Sequence, residues 1–184
     1  MKTLYIFIIF IIVAVAQLYI PAQMILDQEQ VLETGTAYKF RTQPIDPSDP
    51  FRGKYITLNY ELDAFATKDS DWKRNDEVFV YLKKDELGFA KIDKLSKHKL
   101  ESGNDYVIAK VTYYNSYSEI LRFNYNFDRF YMNEDKAYDA KVAHREAQRD
   151  SSSNTTYAVV YISNGNAVLD NVLINDIPIS KFVE

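Results

Sequence analysis

The chain has 184 residues, 47% of them hydrophobic and 15% aromatic, which is too apolar for a disordered polypeptide, and five glycines with five prolines exclude low-complexity architectures. Its formal net charge is −4 and no basic stripe is visible, so nucleic acid is not an expected partner. The absence of cysteine removes disulfides, thiolate nucleophiles and cysteine-ligated metals together.

The first element is apolar. Thr3 to Ile20 (TLYIFIIFIIVAVAQLYI) carries no charge and a single amide, Gln17. As a helix it is roughly 27 Å long, slightly short of a ~30 Å hydrocarbon core, and continuing through Pro21 to Leu26 makes up the length. Residues 1–26 are therefore expected to be a membrane anchor, in contact with the bilayer over 3–26. A cleavable secretory signal competes, because Lys2, the apolar run and Ala14-Val15-Ala16 imitate its three regions. The apolar character that resumes at Leu18-Tyr19-Ile20 and Met24-Ile25-Leu26 favours retention. Either reading exports the rest of the chain. Lys2 before the span, and Asp27, Glu29 and Glu33 after it, place the N-terminus in the cytoplasm and the domain outside.

Residues 27–36 read as a helical continuation or short stalk ended by Gly35, and residues 37–184 as one domain. Within it, Ala37 to Thr42 is a short extended run. Tyr55 to Leu62 alternates, with Ile56, Leu58, Tyr60 and Leu62 on one face. Glu77 to Lys83, Phe89 to Leu95, Asp105 to Tyr114 and Ser118 to Phe123 add further segments of period two. A helix is predicted over Glu134 to Arg149, with Asn133 as its cap; its apolar residues are mostly alanine, so shallow packing is expected. Tyr157 to Ser163 and Ala167 to Ile174 form a hairpin around Asn164-Gly165, and Ile177 to Phe182 closes the series. Seven or eight strands with one helix predict a mainly β domain, a sandwich or partly closed antiparallel barrel with a helical insertion.

Between the first two strands lies Pro44-Ile45-Asp46-Pro47-Ser48-Asp49-Pro50-Phe51-Arg52-Gly53, a stiff connection because proline fixes φ and biases the residue before it. Asp46, Asp49 and Arg52, with Lys54 and Tyr55 beyond them, are the candidate ligand- or partner-binding residues; turn capping by the two aspartates is the plainer account of the first three. No metal site is read here, since the spacing of a calcium loop is absent. His98 and His144, the only histidines, have no partner at metal spacing and are expected to be solvated. No serine sits in a recognisable nucleophile setting, so no catalytic residue is assigned, although serine and lysine are both frequent. The fifteen tyrosines and eleven phenylalanines are expected mostly in the core, with a glycan- or peptide-binding platform as the alternative.

Gly53-Lys54-Tyr55-Ile56-Thr57-Leu58-Asn59-Tyr60 resembles the signature of the GDYXXLXY-domain proteins of bacteria and archaea, and Asp46 to Arg52 is similar to the segment that precedes it. The likeness runs through the anchor, Arg129-Phe130-Tyr131 and the ending from Ala167 to Ile177. Lys54 stands where the signature has aspartate, so Pro50, Gly53, Tyr55, Leu58 and Tyr60 are read as a structural motif. The resemblance implies an exported, membrane-anchored domain of uncharacterised function, and no cofactor is expected from the residues. A non-enzymatic binding or assembly module acting with another membrane or envelope protein is the expected function; an exported membrane-tethered hydrolase of peptide or polysaccharide is the alternative.

Overall fold

The structure, a computed structural model, describes residues 2–43, 55–101, 103–131, 134–149 and 154–182. Helix α1 (Lys2–Thr34) runs for 33 residues without a break, through Pro21. Its large apolar side chains from Leu4 to Leu26 are exposed. By length and composition α1 can cross a membrane, which fits a single-pass anchor. Its polar last third differs in kind: Val31 is buried against the domain. Gly35 then closes the helix, donating its N–H to the Val31 carbonyl at 2.9 Å. A Cβ at this position would lie 2.4 Å from that carbonyl oxygen and 3.0 Å from the carbonyl oxygen of Ile162, so only glycine fits the joint.

Strand β1 (Thr36–Gln43) follows without a linker. The remaining strands are β2 (Tyr55–Thr57), β3 (Asn59–Tyr60), β4 (Ala64–Ala66), β5 (Glu77–Lys84), β6 (Ala90–Ser96), β7 (Tyr106–Asn115), β8 (Ile120–Tyr125), β9 (Arg129–Tyr131), β10 (Thr156–Ser163), β11 (Asn166–Ile174) and β12 (Ile177–Pro178). Helix α2 (Glu134–Arg149) lies between β9 and β10, and a 3-10 turn (Ile179–Phe182) follows β12. One antiparallel sheet has the order β12-β11-β10-β1-β3 and another β4-β8-β7-β5-β6, while β2 and β9 form a separate ribbon. Parallel bridges from Lys39 to Phe89 and from Val107 to Gly165 join the two sheets into a nearly closed barrel-like arrangement. The domain is mainly β, as its alternating segments predict.

Alternation fixes which side chains enter the core. Val78, Val80 and Leu82 of β5, Val107, Ala109 and Val111 of β7, and Leu121 and Phe123 of β8 are buried, as are Ala158, Val160 and Ile162 of β10. Phe40, Tyr60, Phe123, Tyr125 and Phe127 make an aromatic cluster inside, joined by edge-to-face contacts at 5.2–5.7 Å and one stacked pair, Tyr125 with Phe127, at 4.8 Å. Of the 26 tyrosines and phenylalanines, ten are buried in the domain among the described residues, while Tyr113, Tyr117 and Tyr131 are exposed on it and Tyr5, Phe7, Phe10 and Tyr19 are exposed on α1. The hairpin of β10 and β11 turns on Asn164 and Gly165, both at positive φ (51° and 88°), which suits the right-handed twist of the flanking strands.

Three expectations are corrected. The run Tyr55 to Leu62 is two strands: β2 pairs with β9, β3 pairs with β1, and between them Leu58 donates its N–H to the Asp128 carbonyl at 2.7 Å. The ending Ile177 to Phe182 keeps strand pairing only at Ile177 and Pro178, because proline has no N–H to continue the ladder and the chain tightens into the 3-10 turn. The strand count of seven or eight falls short of the observed twelve, the shortfall being two- and three-residue strands.

Candidate functional site

The signature separates into inward and outward residues. Leu58 and Tyr60 are core: both are buried, and the Tyr60 hydroxyl donates to the Phe127 carbonyl at 2.8 Å. Burial, and then the charge of Asp128, hold the Tyr60 phenol well above its ordinary pKa, so it stays a donor throughout the physiological range. Tyr55 behaves differently. It is half-buried on the β2–β9 ribbon, opposite Tyr131 with ring centroids 5.5 Å apart, and the Arg129 guanidinium lies 5.1 Å from its ring centroid. Arg129 and Tyr131 are both exposed. A hydrogen bond with the Tyr131 side chain, with Tyr55 and Asp128 nearby, raises the Arg129 pKa further still. Of the residues singled out in the sequence, Asp46, Asp49, Pro50, Arg52, Gly53 and Lys54 lie outside the described residues, next along the chain to this ribbon.

Beside the ribbon the surface is hollowed. A cleft of about 210 Å³ is lined by Gln43, Asn59, Asp63, Asn124 and Asp128 over a floor that includes Tyr60 and Tyr125. The floor is fixed, because the Tyr125 hydroxyl donates to the Leu62 carbonyl at 2.6 Å. Asp63 is held at the rim by Arg122, 3.0 Å away.

His144 corrects a further expectation. His98 is exposed, but His144 is only 1% exposed, and its Nε2 lies 3.2 Å from the Thr42 hydroxyl, which donates to Thr156 at 2.9 Å. Desolvation lowers its pKa to about 4, so the imidazole is neutral near pH 7. The signal that reveals this is its spacing with Ala140 and Ala147, which places three buried residues on one helix face and packs α2 more closely than its alanine content suggests. Among the described residues, no three His, Asp or Glu side chains are grouped to hold a metal ion.

A family model described as GDYXXLXY protein matches residues 17–172, most of the chain. The chain belongs to the GDYXXLXY family. The match includes the last part of α1, so the helix–domain joint falls inside the family's shared region. No curated protein and no solved structure matches it. The fixed letters of the GDYXXLXY signature now have distinct physical roles in this chain: Leu58 and Tyr60 build the core beneath the cleft, and Tyr55 carries the pattern to the surface.

Proposed function

We propose that this GDYXXLXY protein is a non-enzymatic module, anchored by α1 with its N-terminus in the cytoplasm and its β domain outside, that binds another membrane or envelope protein. The supporting observation is the surface of the β2–β9 ribbon, where the exposed Arg129 lies over Tyr55 and beside the exposed Tyr131. Tyrosine and arginine are enriched in binding hot spots: tyrosine brings a large contact area with few rotors, and arginine a planar guanidinium with five N–H donors that also stacks on rings. The proline-rich segment with Asp46, Asp49 and Arg52 immediately precedes the ribbon in the sequence. Lys2 at the start of α1 and Asp27, Glu29 and Glu33 towards its other end support the orientation. His144, the one buried histidine among the described residues, is engaged with the Thr42 hydroxyl inside the core, which withholds it from surface chemistry.

A photo-crosslinking residue at Tyr131 in native membranes is expected to capture one reproducible protein. Arg129→Ala, and separately the combined Asp46, Asp49 and Arg52 to Ala variant, are expected to lower the yield, with an affinity loss of roughly thirtyfold for a central hot-spot residue. Because the chain has no cysteine, a cysteine placed at Tyr117, which is fully exposed, reports the side of the membrane by its reaction with an impermeant maleimide in intact cells. No captured protein at Tyr131 would overturn the partner reading, and labelling only after lysis would overturn the orientation.

A further inference from the structure

The cleft below the signature is one end of a longer feature. A second hollow of about 490 Å³ shares Asn124 and Tyr125 with it and runs across the outer face of β7 and β8 to the β10–β11 turn. Six side-chain amides line the two together: Gln43, Asn59, Asn75, Asn124, Asn126 and Asn166. Five of the six are exposed, and none makes a side-chain hydrogen bond to another described residue. Each amide offers two donors and an acceptor oxygen, so the groove presents a row of paired donors and acceptors with little net charge. Its ionisable groups nearly cancel: Asp63, Glu77 and Asp128 against Arg74 and Lys110.

The walls are held in place from behind. Asn75 sits at φ 70° and donates its backbone N–H to the Val111 carbonyl at 2.8 Å, while Val111 returns a bond to the Asp76 carbonyl at 2.9 Å. On the far side the Tyr106 hydroxyl donates to the Asn164 carbonyl at 3.1 Å and its ring lies against Gly165. Preorganised polar walls lower the ordering cost of binding a ligand that is itself uncharged and rich in hydroxyls.

We propose that this groove binds a neutral oligosaccharide, with the amides and the rim carboxylates of Asp63 and Asp128 pairing with sugar hydroxyls. Near-neutrality disfavours an anionic polymer, which needs a clustered positive charge. An extended peptide is disfavoured by topology. Strand β7 lies inside its sheet, paired with β5 on one side and β8 on the other, so its backbone groups along the groove are already engaged and cannot accept an added strand. Along this stretch the groove is lined by Ile108, Lys110 and Thr112 of β7 and Asn124 of β8, with the amides of Asn75, Asn126 and Asn166 around them. This ligand is separate from the protein partner proposed above, because Tyr131 and Arg129 do not line the groove.

The test is calorimetric titration of the full chain in nanodiscs with cellohexaose and with the hexamer of N-acetylglucosamine, and with an uncharged nine-residue Ala/Ser peptide as the contrasting ligand. Saturable binding of at least one hexasaccharide is expected, with side-chain amide NMR signals of the groove shifting on addition. Asn124→Ala, at the junction of the two hollows, is expected to weaken it at least tenfold with an unchanged melting temperature, while Gln28→Ala on α1 leaves it unaltered. No saturable binding of either hexasaccharide, equal binding by Asn124→Ala, or shifts of the same amides by the peptide instead would overturn the proposal. Loss of crosslinking at Tyr131 with intact saccharide binding would overturn only the protein-partner reading, and the reverse pattern only this one.

Discussion

Replacing Tyr60 by phenylalanine isolates one bond of the GDYXXLXY signature. The ring keeps its contacts with Phe40, Tyr125 and Phe127 at 5.6, 5.7 and 5.4 Å, so no cavity forms. What is lost is the 2.8 Å bond to the Phe127 carbonyl, an acceptor on a residue that is itself buried. An unpaired buried acceptor costs about 1–3 kcal/mol. For a domain of this size that corresponds to a fall in melting temperature of roughly 2–12 °C. Tyr60→Ala removes the ring as well and is expected to cost about 3–5 kcal/mol. Urea unfolding of the full chain in detergent, followed by the fluorescence of its single tryptophan, Trp72, gives both values. Alkaline pH adds a second check. The folded phenol keeps its proton above the ordinary pKa of 10, whereas the unfolded one releases it there. The stability advantage of wild type over Tyr60→Phe is therefore constant below pH 10 and shrinks as pH rises above it. Equal stability of wild type and Tyr60→Phe, or a Phe substitution as costly as Ala, would refute the assignment of this hydroxyl to the core.

His144 gives the opposite pH dependence. Its folded pKa is lowered to about 4 from 6.5, so the stability it contributes is complete above pH 6.5 and is lost as pH falls towards 4. The loss amounts to roughly 3 kcal/mol at full protonation, read as the difference between wild type and His144→Gln unfolding curves from pH 7 to 4.5. A constant difference would place the imidazole in solvent. At the β10–β11 turn, Gly165→Ala puts a Cβ 2.6 Å from the Tyr106 ring at φ 88°, a strain of roughly 1–3 kcal/mol, measurable as a lowered urea midpoint. Tyr106→Ala in the same background is expected to recover part of that loss, and no recovery would assign the strain to φ alone.

The long strands are legible because one face is buried: in β5, β7, β8, β10 and β11 the alternation of side chains follows the alternation of environment. Glu134 and Arg149 bound the helix as its good formers predict. The break at Leu58 is invisible for a physical reason. Its side chain keeps the inward alternation of Ile56 and Tyr60, while its N–H changes partner to Asp128, and periodicity carries no information about backbone partners. The burial of His144 is hidden because its polarity outweighs its spacing with Ala140 and Ala147. The groove has no local signature at all. Its amides come from positions 43, 59, 75, 124, 126 and 166, which only the folding of β1, β3, β8, β11 and the turns beside them brings together.

The glycine at the end of α1 decides how the domain moves. A flexible linker lets a tethered domain sample a hemisphere, and binding then costs the loss of that freedom. Here Gly35 passes the chain from helix to sheet in a single residue, with Val31 seated on the domain and the Ile162 carbonyl closing the other side. The eight residues from Asp27 to Thr34 extend the helix by roughly 12 Å beyond its apolar stretch. With α1 in a bilayer, the domain is mounted on a post of set height, and the ribbon of Tyr55 and Arg129 keeps one bearing relative to the helix axis. For the partner proposed above, encounter becomes a matter of lateral diffusion and rotation about that post.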